Sequence, residues 1–266
     1  MSETLLIAAI IGYVVAMALH TAEVVVPQRA RALGVAALVA TVLTVIVHAA
    51  CVLTRAAEAR RVPWGNMYEF LLTAALAGAL TWLVLLTRPR LRPLGLFVTL
   101  TLALALGAAG RVYVRANALP PPLQSPWLRV HVATAALATG LFLVGFVATA
   151  LYLARLRGAN HLPELSTLDR LAARMHQIAF PIWTFAVATG AVWAEAAWGR
   201  YWGWDPKETW AFISWTLYAS YLHARSTAGW RGRPAAVIAC AAWASMLINV
   251  FVVNIFVSGL HSYAGF

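Results

Sequence analysis

The stretch LLIAAIIGYVVAMALHTAEVVV, residues 5–26, carries one acid, Glu23, and one histidine, His20, and no basic residue. About 20 such residues, rising about 1.5 Å each, cross the roughly 30 Å hydrocarbon core of a bilayer. The run therefore reads as a spanning helix. The same reading recurs near Ala32–Leu53, Asn66–Thr87, Leu91–Ala109, Val130–Ala154, Phe180–Ala197, Pro206–Ala224 and Pro234–Ser258. Composition agrees: 62% of the 266 residues are hydrophobic and 11% are charged. A soluble domain is nearer half apolar and a quarter charged. This chain has too little polar surface to cover a water-facing globule, which excludes a soluble enzyme, a disordered protein and a fibrous repeat. The expectation is an all-α polytopic membrane helix bundle of about eight transmembrane helices, with residues 1–266 forming a single domain. The opening MSETLL has no basic n-region and no cleavage site follows, so the first segment reads as a retained helix.

The formal net charge is +11, from 19 Arg and one Lys against 9 acids. The loops divide these unevenly. One set holds 12 basic residues, among them Arg29, Arg31, Arg88, Arg90, Arg170, Arg174 and Arg225; the other holds 8. Basic loops stay inside, so both termini and the loop between the sixth and seventh segments are expected outside. The basicity is then a topology signal, with arginines facing anionic lipid, and calls for no nucleic-acid partner. The arginine and alanine bias suggests a bacterial source and hence a bacterial plasma membrane. Cys51 and Cys240 form no CxxC, so no disulfide framework, zinc knuckle or haem-attachment motif is expected. The longest inner loop, about Arg155 to Ala179, is partly amphipathic around Leu165–Ile178.

The outward loop is AWGRYWGWDPKETW, residues 197–210. Asp205, Pro206 and Glu208 read as N-cap, first helical residue and capping box; a ligand contact is the competing role for Asp205. Six of the 12 Trp fall between Trp193 and Trp215. Belt anchoring at the interface accounts for scattered Trp. Trp198, Tyr201, Trp202, Trp204 and Trp210, interleaved with Gly199 and Gly203, look instead like a ring surface for a large planar ligand, and a porphyrin is the obvious one.

The histidines sort by depth. Ser125 and Pro126 read as N-cap and first turn, which places His131 near the outer surface with Trp127 on its face. Gly259 reads as a helix stop, so His261 is also outward. Two imidazoles and an aromatic platform are the inventory of a bis-His haem site. His223 lies 17 residues after Pro206, roughly 25 Å deeper. His20 reaches a similar depth, His48 sits near the outer end of the second segment, and His176 falls in the inner loop. Intramembrane ionisable residues are functional candidates, although a lone histidine near a helix end is more often a hydrogen-bonded interface residue. In PWGNMYEF, residues 63–70, Asn66 reads as N-cap. Glu69, near the hydrocarbon boundary, needs a partner such as Arg60 or Arg61.

Four blocks then carry a resemblance: PWGNMYEF at 63–70, LQSPWLRVHV at 123–132, GAVWAEAAWGRYWGWDPKETWAFISW at 190–215 with YLHAR at 221–225, and GLHSYAGF at 259–266. In this order the chain resembles the CcsA/ResC family of cytochrome c biogenesis proteins, the haem-handling subunit of the System II cytochrome c synthase, and the tryptophan block resembles its WWD domain. The resemblance implies haem b held on the outer face between His131 and His261. Trp198, Trp202 and Trp204 would orient the macrocycle, and Asp205 would lie beside it. It also implies a second haem position at His223, with the opposite ligand from a CcsB/ResB-type membrane subunit. The apocytochrome c substrate would present a CxxCH motif whose thiols add to the haem vinyls. Charge and position suggest Arg200 and Lys207 as partners for the propionates. Two other readings stand beside this one. The first is a haem transporter or chaperone that delivers haem without ligation. The second is a b-type electron carrier with permanent haem.

Overall fold

A computed structural model describes residues 1–159 and 161–261 of the chain. Eight long helices run up and down: α1 Ser2–Val25, α2 Ala30–Ala59, α3 Met67–Leu86, α4 Gly95–Arg111, α5 Pro126–Leu156, α6 Leu165–Trp198, α7 Pro206–Ser226 and α8 Arg233–Leu247. Beyond α8 the chain continues as a π-helical stretch, Ile248–Val253, and a last turn, Asn254–Phe256. There is no strand among the described residues. Seven helical segments are long and apolar enough to span a bilayer, α8 counted with its extension to Phe256. The eighth helix, α7, is long enough but carries Lys207, Glu208, His223 and Arg225 among its aromatics.

Local chemistry sets the helix starts. Asn66 Oδ1 accepts the Glu69 N–H at 2.9 Å, and Ser125 Oγ accepts the Trp127 N–H at 3.2 Å ahead of Pro126. At α7 the Asp205–Glu208 capping box is complete, as the sequence predicts. Helix α1 packs on α2 and α4, α3 on α4 and α5, α5 on α6 and α8, and α7 on α8. Helices α3 and α5 cross at Gly78 and Gly140, where a Cβ on Gly140 would meet the Gly78 backbone nitrogen and the Ala74 carbonyl. Small residues let backbones approach this closely in a bilayer, where apolar side chains gain little by leaving lipid.

Three expectations need correction. Helix α6 begins at Leu165, not Phe180, and runs through Pro181. Its 34 residues measure about 51 Å, so the amphipathic segment placed in a loop is the first half of this helix. His176 is accordingly not a loop residue: it is fully buried, with Nε2 3.3 Å from Thr149 Oγ1 and its ring against Phe142, Tyr218 and Tyr221. The last turn ends at Phe256, three residues before Gly259. Of the two partners expected for Glu69, Arg61 holds it at 2.8 Å while Arg60 is the left-handed C-cap of α2; the fully buried Arg55 also holds it, at 2.9 Å. The sequence places Arg55 in the loop beyond a segment ending near Leu53, whereas α2 runs on to Ala59 and carries it into the core.

His20 and His48 are core residues. His48 bridges Tyr13 Oη and the Leu72 carbonyl at 3.1 and 3.0 Å. His20 lies 3.3 Å from Thr41 Oγ1 and edge-on to Trp82. Both cysteines are free.

Candidate functional site

The site lies where α5 begins, α6 ends and the chain leaves α8. His131 is in the second turn of α5. Its Nδ1–H donates to the Ala186 carbonyl of α6 at 2.7 Å. The ring stacks on Trp193 with centroids 6.2 Å apart and planes inclined by 15°. Gly190 leaves the space for it: a Cβ there would fall 2.7 Å from Nδ1. Trp193 is fixed in turn by its indole N–H, which donates to the Pro122 carbonyl at 2.9 Å.

His261 arrives from the far end of the chain. Its Nδ1 is 2.8 Å from Asp205 Oδ2, and Asp205 Oδ1 accepts the Leu260 N–H at 2.6 Å. Asp205 therefore caps α7, as the sequence predicts, and in addition seats a histidine. Burial pushes its carboxyl up, but the bonds from His261 and Leu260 outweigh this and hold it below the usual carboxylate range. With the folded value below the unfolded one, this contribution is complete above the unfolded value of about 3.9 and is lost as pH falls through the folded value. Replacing Asp205 by alanine is expected to cost about 1 kcal/mol of capping. It should also weaken any metal held by His261 by 10- to 100-fold, the usual effect of losing such a backing carboxylate. Differential scanning of the purified variant and a metalloporphyrin titration check the two effects separately.

The two imidazoles share one chemical state. With Nδ1–H committed to a carbonyl or a carboxylate, the ring is fixed in orientation and Nε2 presents a lone pair. No described residue hydrogen-bonds either Nε2. Both rings line one cavity, of about 190 Å³, with Trp64, Trp193, Trp202, Lys207 and Asn249. The π-helical stretch widens α8 at this point, a distortion found often at functional sites. It turns Asn249 so that Nδ2 donates to the Lys207 carbonyl at 3.3 Å, while the buried Oδ1 has no partner among the described residues. An orphaned acceptor of this kind points to a ligand or water.

The predicted tryptophans separate. Trp198 packs edge-on to both Trp193 and His261, each at 4.9 Å. Trp202 lines the cavity. Trp204 is 69% exposed, edge-on to Trp202, at a left-handed φ of 57°. A bulky residue there is strained; its neighbours Gly203 and Asp205 are held by N–H bonds to Glu208, at 2.8 and 3.2 Å. Trp127 is exposed and lies outside the cavity lining. Lys207 lines the cavity, whereas Arg200 lies over Gly203. His223 is not part of this site: it is exposed near the opposite end of α7, with Thr227 Oγ1 3.4 Å from its Nδ1. Ser262–Phe266, the tail of the last sequence block, lies outside the described residues. Sequence reading missed Trp193, Gly190 and Asn249 as site residues. The available signals were a Gly-x-x-Trp on one helical turn and asparagines inside an apolar run.

Fold and site define a polytopic helical membrane protein with a histidine-lined cavity at the end of the bundle that carries its tryptophan loop. The chain belongs to the cytochrome c assembly protein family, whose model matches residues 64–261. It is similar to cytochrome c biogenesis protein CcsA from Guillardia theta, 33% identical over 84% of this chain and 83% of that one. The Porphyra purpurea CcsA is 30% identical over 95% of this chain and 94% of that one. The Chlamydomonas reinhardtii CcsA is 34% identical over 77% of this chain but only 61% of its own length. In fold the chain resembles the solved cytochrome c heme lyase CcmF, with a TM-score of 0.68 at 19% identity, covering 94% of this chain and 46% of that one. It is therefore a multi-pass membrane protein of cytochrome c biogenesis.

Proposed function

We propose that this chain is the haem-binding subunit of a cytochrome c synthase, working in a bacterial plasma membrane with a CcsB/ResB-type membrane subunit. Its substrates are haem b and an apocytochrome c bearing CxxCH. The observation that carries this reading is the matched pair His131 and His261, each with Nδ1 occupied and Nε2 without a partner among the described residues, on one cavity. Two such nitrogens suit a low-spin iron.

The chain's own residues then hold and orient. Trp193 braces both rings, at 6.2 and 5.5 Å, so little ordering remains to be done when ligand arrives. Lys207 supplies a cation for a propionate and Asn249 Oδ1 an acceptor. A cavity of about 190 Å³ is smaller than the roughly 300 Å³ that encloses an organic ligand. A porphyrin held there would be only partly enclosed, with Trp202 among the residues available to it. That suits a site on the outer face that presents haem to a second substrate. Each thioether forms by adding S–H across a vinyl C=C, sulfur to one carbon and hydrogen to the other, with no leaving group. The chain needs no nucleophile, and proximity supplies the rate. His223, exposed at the opposite end of α7, would serve a second haem whose other ligand the companion subunit provides.

The test is a haem spectrum of the chain co-purified with its companion, wild type beside His131→Ala and His261→Ala. A low-spin bis-histidine spectrum is expected, weakened in each variant and restored by imidazole. Wild-type haem content and spectrum in both variants would sink the reading. Haem binding without thioether formation in the full complex would point to a transporter instead.

A further inference from the structure

A second cleft opens at the other end of the bundle, between the α3–α4 connection and the first half of α6. Its volume is about 890 Å³. Arg88 and Arg90 come from the connection. Arg170 and Arg174 come from α6, one turn apart and so on one face. No carboxylate neutralises these four among the described residues. Asp169, next to Arg170 in the chain, is taken by Arg225 through two bonds of 2.6 and 2.9 Å, and Glu23 faces Arg92. Arg170 has only a 3.4 Å bond to Thr167 Oγ1. Between the guanidinium groups the walls are apolar, with Leu91 and Leu171 at 5% exposure.

We propose that this cleft is a binding site for one acidic phospholipid. Four unneutralised arginines from two separate segments match a phosphate diester with an anionic or hydroxylated headgroup. The apolar walls match the start of the acyl chains, and the position at helix ends matches headgroup depth. A soluble anion would use the arginines but leave the apolar walls wet. The inference is independent of the haem reading and would survive its failure.

The experiment is native mass spectrometry of the full chain released from nanodiscs of equal phosphatidylglycerol and phosphatidylcholine. Wild type is expected to retain one phosphatidylglycerol. In Arg88→Gln/Arg90→Gln/Arg170→Gln/Arg174→Gln that retention should fall, with the affinity loss accumulating at about fivefold per arginine removed. The smaller variant Arg170→Gln/Arg174→Gln should lose part of it. A charge-matched control at the same end, Arg29→Gln/Arg31→Gln/Arg157→Gln/Arg233→Gln, should retain the lipid. Equal retention by the cleft variants, or equal loss in the control, overturns the proposal. Displacement of the lipid by millimolar inorganic phosphate would make the cleft a soluble-anion site, and displacement by one equivalent of haem would make it a porphyrin site; either result also overturns it. All substituted arginines are exposed, and matching melting temperatures in phosphatidylcholine alone show that the variants fold.

Discussion

Glu69→Ala is expected to destabilise the bundle by about 3–5 kcal/mol, because it strands a buried charge. Glu69 and Arg55 are both 0% exposed, 2.9 Å apart, and Arg61 closes on the other carboxylate oxygen at 2.8 Å. The Arg55 guanidinium also faces the rings of Tyr68 and Tyr113, at 5.0 and 5.7 Å, but its two Nη atoms have no hydrogen-bond partner among the described residues. Without Glu69 those contacts cannot balance its desolvation. The effect should reach the histidine-lined cavity. Glu69 Oε2 accepts the Gly65 N–H at 2.7 Å, and Gly65 lies between Trp64 and Asn66 in the cavity wall. Arg61→Ala should cost far less, since that side chain is 16% exposed and leaves the Arg55–Glu69 pair intact. The double variant Arg55→Met/Glu69→Met should recover most of the loss, as apolar replacements of buried pairs often do. Thermal unfolding of the four proteins in one detergent decides it; a Glu69→Ala protein as stable as wild type would show that the pair is not what holds this end.

Gly190→Val is the second large effect, and it is on binding. A Cβ at this position would lie 2.7 Å from His131 Nδ1 and 2.8 Å from Cε1. The ring cannot retreat, because Trp193 stacks on it. It must swing off the Ala186 carbonyl, losing both its fixed orientation and its committed tautomer. Haem content is expected to fall as far as in His131→Ala, while melting temperature moves little if α5 and α6 keep their packing. Gly140→Val provides the contrast. There the added carbon meets backbone atoms of α3, which cannot rotate away, so folding should fail and haem should be lost with it. If Gly190→Val keeps wild-type haem while folded, the ring at His131 is not the ligand.

Much of this was legible one segment at a time. Apolar runs mark helices because a bilayer forces every backbone polar group to be satisfied within its own helix. Asn66, Ser125 and Asp205 mark starts because a cap acts over two or three residues. The first half of α6 was not legible. An amphipathic helix reaching past the bilayer has the periodicity of a surface segment until α5 and α7 are packed on it. His176 shows the consequence, a residue assigned to solvent that lies in the core.

By itself, the sequence determined the membrane class, the helix count and the caps, since all of these follow from hydropathy and from contacts a few residues long. Only the tertiary structure decided which histidines turn an unpartnered nitrogen toward a cavity: among the described residues Nδ1 of His20 and of His176 also lacks a hydrogen-bond partner, but it is buried in the core. His20, His48 and His176 have the same chemistry as His131 and His261, yet the core surrounds them. The partners that leave Nε2 of the pair open, Ala186 and Asp205, stand 55 and 56 residues away. A hydrogen bond across that separation exists only once helices from distant parts of the chain have been brought side by side.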